Sequence, residues 1–400
     1  MDFLKVKNNF NFDFYTRRSV YDCYQNIYNR TNGKDYLNST LEISNHSQKD
    51  IIVVNNIPGY FEARIEDDNP AYKLFRIHYL DGFLIDLKDF TNLEDFMKVQ
   101  FGSKSRSRLR SFMKRLETCF DIQYKMYHGE ITKEKFHFLM DTLRVMISKR
   151  FVQRGDTHES LKNWDYYKIS AYDMILQKKA SLFVIYDHDK PIDICLNYHH
   201  QNILFGNIKS YDIDYAKFRL GSIDTLKLLE WCLENGYTIL DLSHGNLDYK
   251  HTWCNSKYIF EHHVLYNHKK VNTKLAAYIM FRVLELKAFL KSRKVDMLYH
   301  KIKAKIRGDH GQKRELGKGK MFFEDISAKS IDEVSIHPID INQDKFAFLR
   351  KAIYDFQYLN FEFSENIKVY KLIDDPNRFM VQGLKKAVIL SSAENPYEYL

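Results

Sequence analysis

Glycine and proline are both scarce in this chain of 400 residues, which contains 15 and 6 of them. No stretch is dominated by Ser, Gly or Pro, and no unit recurs at the periods of solenoid or propeller proteins. Because this length exceeds what a single core usually organises, and 44% of the residues are hydrophobic, we expect more than one domain. The lack of linker sequence excludes long disordered connections, so the domains should form one body with soft boundaries.

Cysteine is also rare, and the chain lacks a long apolar run. The five cysteines are widely spaced and contain no C-x-x-C pair, which argues against a disulfide framework and a zinc site. Met1 to Tyr15 mixes charges into its apolar residues and lacks the core of a secretory signal. Leu275 to Leu290 contains three charged residues and is shorter than the ~20 apolar residues of a membrane span. We therefore predict reduced cysteines, a cytoplasmic location and no membrane-spanning helix.

Positive charge is concentrated in one segment. The formal net charge is +9, and residues 269–320 alone hold 16 basic residues against four acidic ones. Val271 to Gly308 has the spacing of a long basic amphipathic helix. Its predicted apolar side comprises Leu275, Ile279, Val283, Leu286, Leu290, Met297, Ile302 and Ile306. Two interpretations stay open: peripheral contact with an anionic membrane surface, or packing on a neighbouring core with the charges in water.

Hydrophobic periodicity from Asp121 onward predicts a mixed, mainly antiparallel sheet flanked by helices. The predicted order is a strand, two helices, a three-strand meander, a helix, a strand, a short helix and a strand. Their ranges are Ile122–Tyr127, Thr132–Arg150, Trp164–Gln177, Ala180–Tyr186, Ile192–Tyr198, Ile203–Ile208, a helix from Gly221 to Asn235, Tyr237–Leu242, Leu247–Cys254 and Tyr258–Tyr266.

Four short motifs follow the meander. They are Tyr211-Asp212-Ile213-Asp214-Tyr215-Ala216, then Gly221, then Asp241-Leu242-Ser243-His244-Gly245, then Tyr249-Lys250-His251-Thr252-Trp253. With them, Ala180 to Trp253 resembles the subfamily of acyl-CoA N-acyltransferases (GNAT) that includes the CelD-like proteins of cellulose biosynthesis. This subfamily borders the Fem peptidoglycan-bridge aminoacyltransferases. The resemblance covers about a third of the chain and extends more weakly upstream to Lys104–Arg110.

The resemblance implies an α/β (α+β) GNAT fold with tandem GNAT-like halves. The implied domains are a degenerate N-terminal half (1–120), a catalytic GNAT domain (121–268), the basic helical segment (269–320) and a small α/β appendage (321–400). The implied activity is acyl-CoA-dependent N- or O-acylation of a saccharide, glycolipid or other cell-envelope precursor. Two alternatives stay open: a Fem-like enzyme that uses aminoacyl-tRNA, or a non-catalytic GNAT-shaped binding module. Only the first of these alternatives has a nucleic acid as a partner.

The donor site is expected at a helix start. Unpaired N–H groups and the partial positive charge of a helix N-terminus can hold a diphosphate, and GNAT enzymes seat CoA in this way. The resemblance assigns this role to Arg219, Leu220, Gly221 and Ser222. Only one glycine is present where the family has two, which is why the aminoacyl-tRNA alternative stays open.

Acyl transfer calls for a base toward the acceptor and an acid toward the leaving thiolate. Asp241, at the end of an apolar strand, is the candidate base, and His244 is a second candidate. Tyr249 resembles the tyrosine that many GNAT enzymes use as the acid. Structural interpretations stay open as well: Asp241 as a turn cap and Tyr249 as a core side chain, while the resembling family often has another polar or basic residue at the position of His244. A base is also dispensable if the acceptor is a neutral amine.

Substrate contacts are expected from the remaining motif residues. The resemblance assigns Tyr211, Gly245, Lys250 and Trp253 to the site, and Arg150 and Arg154 flank a helix end where they would orient the substrate. The pairs His199-His200 and His262-His263 lie at a turn and in a strand; because adjacent strand residues point to opposite faces, we predict no metal site.

Overall fold

The computed structural model describes residues 8–36, 42–44, 49–65, 72–154, 159–245, 247–293, 321–325, 336–375 and 377–392. The elements before residue 121 are α1 (Phe10–Phe12), a π-helical turn (Asp13–Arg17), β1 (Ser19–Tyr21), β2 (Asn26–Asn29), β3 (Lys34–Tyr36), β4 (Glu42–Ser44), β5 (Ile51–Pro58), β6 (Phe61–Arg64), β7 (Tyr72–Asp86), α2 (Leu93–Gln100) and α3 (Ser103–Cys119).

The element order predicted from residue 121 onward is confirmed. It comprises β8 (Ile122–Tyr127), α4 (Lys133–Arg154), a 3-10 turn (Glu159–Asn163), α5 (Trp164–Leu176), β9 (Ala180–Asp187), β10 (Lys190–His200), β11 (Ile203–Tyr211), a 3-10 turn (Ile213–Phe218), α6 (Leu220–Glu234), β12 (Ile239–His244), α7 (Asp248–Trp253) and β13 (Ser256–Asn267). Helical spacing in the sequence also predicts a core face of α4 that comprises Phe136, Leu139, Met140, Leu143, Ile147 and Phe151. The first five of these side chains are buried and Phe151 is half-buried.

The central sheet has the strand order β5-β13-β7-β12-β11-β10-β9-β8. Its strand pairs are antiparallel except β11 with β12, which is parallel. The sheet is thus mixed and mainly antiparallel, as predicted. β7 lies between β12 and β13, so strands from 1–120 and from 121–268 pair directly with one another. The boundary between these two segments therefore runs through one sheet.

The helix α8 (Val271–Ser292) follows the sheet, and its orientation bears on the two interpretations left open for this segment. It buries Leu284 and the smaller side chains Thr273, Ala277 and Ala288 on the side that packs on β7 and β13. The predicted apolar side is instead turned outward, since Leu275, Ile279 and Leu286 are all exposed. The helix is apolar on two opposite sides, and the side with the smaller residues fits more closely onto the sheet. The predicted continuation through Met297, Ile302 and Ile306 lies outside the described residues.

In the C-terminal appendage the sequence predicts a helix near Asp344 to Phe356 and strands near Ile367 to Leu372 and Arg378 to Gln382. The structure confirms these elements within a five-stranded sheet with one α-helix. The appendage contains β14 (Met321–Asp325), β15 (Ile336–Pro338), a 3-10 turn (Asp344–Leu349), α9 (Arg350–Asn360), a 3-10 turn (Ser364–Asn366), β16 (Lys368–Leu372), β17 (Arg378–Gln382) and β18 (Ala387–Ser392). The helix α9 packs on the 3-10 turn before α6, where the rings of Tyr354 and Tyr215 lie 4.5 Å apart. Within the described ranges, no helix combines the length and apolar character needed to cross a bilayer.

Candidate active site

The parallel strands β11 and β12 diverge after a short paired segment, and we call the place between their two facing edges the cleft. They pair over three residues, the last pair being Phe205 with Asp241, after which β11 continues to Tyr211 and β12 to His244. Gly206 lies at the point of divergence, where an added Cβ would approach the Asp241 carbonyl oxygen to 3.4 Å. In the part of the chain that the structure describes, no other strand pairs with these two facing edges. Their backbone groups can therefore bind an extended ligand that contains amides.

The N-terminus of α6 lies beside the end of β11. Arg219 adopts a left-handed conformation (φ 62°), and no side chain caps the helix. The Arg219 carbonyl oxygen accepts a hydrogen bond of 2.8 Å from the Ser222 N–H, and Leu220 is fully buried. Gly221 is half-buried, and the nearest atom that an added Cβ would meet is a ring carbon of Tyr211 at 3.8 Å. An uncapped helix start with an open glycine is suited to the oxygens of a phosphate group.

Asp241 is enclosed where the cleft begins. Its carboxylate is fully buried and accepts hydrogen bonds from the Tyr60 hydroxyl (2.6 Å), the Tyr258 hydroxyl (2.8 and 2.9 Å) and the Ser243 N–H (2.7 Å). Burial raises the pKa of Asp241 to about 6, although these hydrogen bonds and the charge of Lys250 oppose the rise. The carboxylate joins β12 to the N-terminal segment and has its oxygens occupied by donors.

Lys209, on β11, is close to the tyrosine that follows β12. Its Nζ lies 5.3 Å from the centre of the Tyr249 ring and 3.0 Å from both carboxylate oxygens of Asp224 on α6. Burial opposes the charge of Lys209, but Asp224 and Tyr249 outweigh it and the pKa of Lys209 is raised. The pKa of Tyr249 is raised by burial and only partly lowered by Lys209, so its hydroxyl is protonated at neutral pH. A cation and a proton donor thus lie together beside the cleft.

Lys250 is held by the turn that ends β12. Ser243 (φ 63°) and Gly245 (φ 112°) both have positive φ, which bends the chain around the lysine. Lys250 Nζ donates to the carbonyls of His244 (2.5 Å) and Ser243 (3.4 Å), and only 4% of the residue is exposed. Burial lowers the pKa of Lys250 to about 8, against the opposing effect of Asp241. An added Cβ at Gly245 would lie 3.6 Å from this ammonium, so the glycine leaves room for it.

Comparison with known families identifies the domain that contains this cleft. Residues 103–251 match the family model described as an acetyltransferase (GNAT) domain, from α3 to α7. The chain contains a GNAT acyltransferase domain. The match begins at α3, where the resemblance of the sequence was weaker, and ends just after Tyr249 and Lys250. The finer resemblance to the CelD-like proteins stays a prediction.

Solved structures with a similar fold are distant from this chain. A conserved protein of unknown function from Bacteroides thetaiotaomicron is 9% identical, with 49% of this chain and 62% of that chain covered and a TM-score of 0.35. L-PGS from Bacillus licheniformis is 14% identical, with 59% and 73% covered and a TM-score of 0.34. FemX is 9% identical, with 57% and 75% covered and a TM-score of 0.40. The chain thus spans less than two thirds of the first of these, and none of the curated proteins matches the sequence. Such low scores carry no argument about activity.

His244, the second candidate base of the GNAT domain, ends β12 and is exposed. Its ring packs edge-on against Phe260 at 5.5 Å. Desolvation by the surrounding atoms, then the positive charges of Lys250 and Lys291, lower the pKa of His244 to about 4. The imidazole is therefore neutral at pH 7 and accessible, whereas Asp241 has the more suitable pKa and is enclosed.

A cavity of about 190 Å³ lies between α4, the start of β10 and the end of β11 in the GNAT domain. Tyr211 lines it together with Met146 and Lys149 of α4, and a Cβ added at Gly221 of α6 would meet the ring of the same tyrosine at 3.8 Å. The Arg150 guanidinium stacks over the Tyr211 ring at 4.7 Å. The structure thus brings Arg150 and Tyr211 together beside the helix start, as predicted for substrate-orienting residues, although their function stays a prediction.

Two other predicted residues lie elsewhere in the GNAT domain. Trp253 is 3% exposed and packs edge-on against Phe101 at 5.0 Å, within the core between α7 and α2. This placement favours a packing role over substrate contact. Arg154 is the last residue of α4, and its side chain lies outside the described residues.

Sequence reasoning missed the charged cluster beneath Tyr249. Asp193, Cys195 and Asp224 are all buried, and their side-chain atoms that could bind a metal lie within 4.8 Å of one another. Among the residues that the structure describes, this is the one group of three such side chains. The Lys209 ammonium balances Asp224, so we assign no metal there. Burial, followed by the neighbouring Asp224, raises the pKa of Asp193 well above its usual range and favours its protonated form. One signal in the sequence could have revealed this cluster: Lys209 and Asp224 are charged residues at positions of an apolar strand and an apolar helix that face the core.

Proposed function

We propose that the GNAT domain transfers an acyl group from acyl-CoA to an amine or hydroxyl of a saccharide, glycolipid or other cell-envelope precursor. The observation that carries this proposal is the cleft between β11 and β12, which leads to the uncapped start of α6 at Arg219–Ser222. A pantetheine arm carries two amides, and the free strand edges offer matching donors and acceptors. The diphosphate would then lie on the N–H groups around Gly221. The acceptor class rests on the resemblance to the CelD-like proteins.

Tyr249 supplies the proton in this scheme. The acceptor nitrogen or oxygen forms a bond to the acyl carbon, the carbon–sulfur bond breaks, and the thiolate takes the Tyr249 hydroxyl proton. The proton of the acceptor passes to water or to His244, which is neutral and exposed at the end of β12. Lys209 stabilises the tyrosinate that is left, because its ammonium lies 5.3 Å from the Tyr249 ring.

Asp241 is assigned a positioning role rather than that of the base. Its oxygens are filled by three donor groups, and none of its surface is exposed to the cleft. It holds the end of β12, and with it Ser243 and the turn around Lys250, in the shape that forms one wall of the cleft. A neutral amine attacks a thioester without a base, so the scheme does not require Asp241 to accept a proton.

Ligand-dependent thermal stability tests the proposal. The purified chain is heated with acetyl-CoA, a longer acyl-CoA, free CoA or pantetheine, which lacks the diphosphate. We expect CoA and its thioesters to raise the melting temperature, because a ligand that binds only the folded state stabilises it, whereas pantetheine should have little effect. Release of thiol from acyl-CoA in the presence of an amino sugar or glycolipid acceptor would then define the reaction. A chain that no CoA compound stabilises, and that releases no thiol, is not an acyl-CoA transferase.

An aminoacyl-tRNA donor is the second candidate. The observation in its favour is the single glycine at Arg219–Ser222, where the acyl-CoA pattern has two. Under this alternative, aminoacyl-tRNA alone should stabilise the chain, and its affinity should fall steeply with salt because phosphate contacts release counterions. A binding module without activity would show stabilisation by neither donor.

A further inference from the structure

The outward side of α8 is an apolar surface that nothing in the described residues covers. Leu275, Ile279 and Leu286 keep 64%, 56% and 57% of their surface exposed. Such exposure is unusual because large apolar side chains grouped on one surface normally mark a contact with a partner or a membrane. We call this surface the outer face of α8; it comprises Val271, Leu275, Tyr278, Ile279, Leu286, Phe289 and Leu290.

The residues of the outer face lie on one side of α8 in two patches. They recur one, three and four positions apart within residues 271–279 and within residues 286–290, and the exposed ion pair of Arg282 with Glu285 lies between the two patches. The opposite side packs on the sheet through Ala277, Leu284 and Ala288, together with Val264 and Tyr266 of β13. Because α8 is anchored by this inner side, it lies flat on the molecule and presents the outer face to the surroundings.

Basic residues border the outer face. Residues 269–293 contain seven lysines and arginines and one acidic residue, Glu285. That glutamate pairs with Arg282 at 2.5 Å, so it does not offset the other cations. The rim of the face comprises Lys269, Lys274, Lys287 and Arg293, whereas Lys270 pairs with Asp50 and Lys291 donates to Tyr79 of the sheet.

We propose that the outer face of α8 rests on a bilayer that contains anionic lipids. The apolar patches would enter the boundary between headgroups and acyl chains, and the cationic rim would meet the phosphates. A second copy of the chain is a poorer fit, because a two-fold contact through this face would bring two cationic rims together. A bilayer supplies both the apolar region and the opposite charge.

The C-terminal end of α8 lies near the end of the cleft marked by His244. Lys291, in the last turn of α8, donates to the Tyr79 hydroxyl at 2.5 Å. Tyr79 belongs to β7, which pairs with β12 at His244 through Gly82. A membrane beneath α8 would therefore bring a lipid-borne acceptor close to the candidate catalytic residues, an inference that rests on the proposed function.

Vesicle co-sedimentation tests the proposal with the full chain. Vesicles of phosphatidylcholine alone are compared with vesicles that also contain phosphatidylglycerol, at low and high salt. We expect binding to the anionic vesicles only, weakened by salt. The double variant Ile279→Gln/Leu286→Gln should partition roughly tenfold or more weakly, because two apolar side chains leave the lipid contact. The matched control is Val99→Gln/Ile169→Gln, which replaces residues that are 75% and 76% exposed on other helices.

A second pair of variants tests the charge. Lys274→Gln/Lys287→Gln should weaken vesicle binding and reduce its salt dependence, whereas Lys114→Gln/Lys133→Gln, which alters exposed lysines on α3 and α4, should not. Failure of the wild-type chain to bind anionic vesicles would overturn the proposal. So would a dimer that forms without lipid and is lost in Ile279→Gln/Leu286→Gln, since a second copy would then cover the face. The effect of CoA on thermal stability is measured separately, without vesicles. If CoA stabilises the chain but vesicles do not bind it, the membrane proposal fails and the proposed function stands.

Discussion

The Tyr60 hydroxyl donates a hydrogen bond of 2.6 Å to the Asp241 carboxylate, across 181 positions of the sequence. Tyr60 lies in the turn between β5 and β6, whereas Asp241 lies in β12 where the cleft begins. The N-terminal segment therefore supports the strand that lines the candidate active site. It does so from within the same sheet, because β7 pairs with β12 and β5 pairs with β13.

Asp241→Asn tests whether this carboxylate positions the strand or accepts a proton. The asparagine cannot satisfy the same set of donors, so we expect unfolding free energy to fall by about 1–3 kcal/mol. CoA binding should persist, and turnover should fall by about the same factor as in Tyr60→Phe, which removes one of the donors. Denaturant unfolding and steady-state kinetics measure both effects, with the exposed Asp189→Asn as the control. If Asp241→Asn loses about a hundredfold more turnover than Tyr60→Phe, the carboxylate acts as the base.

Tyr249→Phe removes the proposed proton donor without changing the size of the ring. Turnover should fall by roughly 10²–10⁴-fold, the usual contribution of a positioned acid, with CoA affinity and stability close to wild type. Tyr124→Phe is a matched control, because its hydroxyl donates to Glu117 on α3 rather than toward the cleft. Turnover of Tyr249→Phe within a few-fold of wild type would remove the tyrosine from the mechanism.

Lys209→Met leaves the buried Asp224 carboxylate without its cation. Because breaking one side of a buried ion pair typically costs about 3–5 kcal/mol, we expect a large loss of stability. The double variant Lys209→Met/Asp224→Asn should recover most of it, and a double-mutant cycle by denaturant unfolding measures the coupling. Additive losses in the two single variants would show that the pair is not coupled.

Lys250 gives stability a pH dependence of defined sign. Burial lowers its pKa to about 8 in the folded state, from the ordinary lysine value of 10.5. The unfolded chain then binds more protons between about pH 8 and 10.5, so this group makes stability rise with pH in that window, at no more than about 1.4 kcal/mol per pH unit. Denaturant unfolding across this range should show the contribution in the wild type and lose it in Lys250→Met. Parallel pH profiles for the two chains would contradict the assignment.

The sequence predicted those features that depend on local pattern. Short apolar runs separated by turn residues predicted the meander β9–β11, and three-four spacing predicted the buried face of α4. The start of α6 and the position of Tyr249 came from motif spacing instead. The two strands of the cleft were predicted as separate elements, but their divergence after Phe205 and Asp241 depends on pairing that no single segment encodes.

Features that depend on long-range contact were not predictable. Lys209 and Asp224 stand at inward positions of apolar elements, but only the packing of α6 on β11 shows that they meet at 3.0 Å. The orientation of α8 was left open by the sequence because both of its sides are apolar, and periodicity alone does not say which one fits the sheet. Small residues such as Ala277 allow the closer approach, which leaves Leu275 and Leu286 outside.

CoA binding to Gly221→Glu tests the central claim most directly. The glycine is open and lies in the first turn of α6, so a glutamate there should be accommodated and should favour the helix, while its charge repels a diphosphate. Gly102→Glu is the matched control, because Gly102 precedes α3 and an added Cβ meets nothing within 4 Å. By calorimetry, we expect the wild type and Gly102→Glu to bind CoA equally, and Gly221→Glu to bind roughly tenfold or more weakly at unchanged stability. Equal binding by all three chains, or no binding by the wild type, would contradict the account.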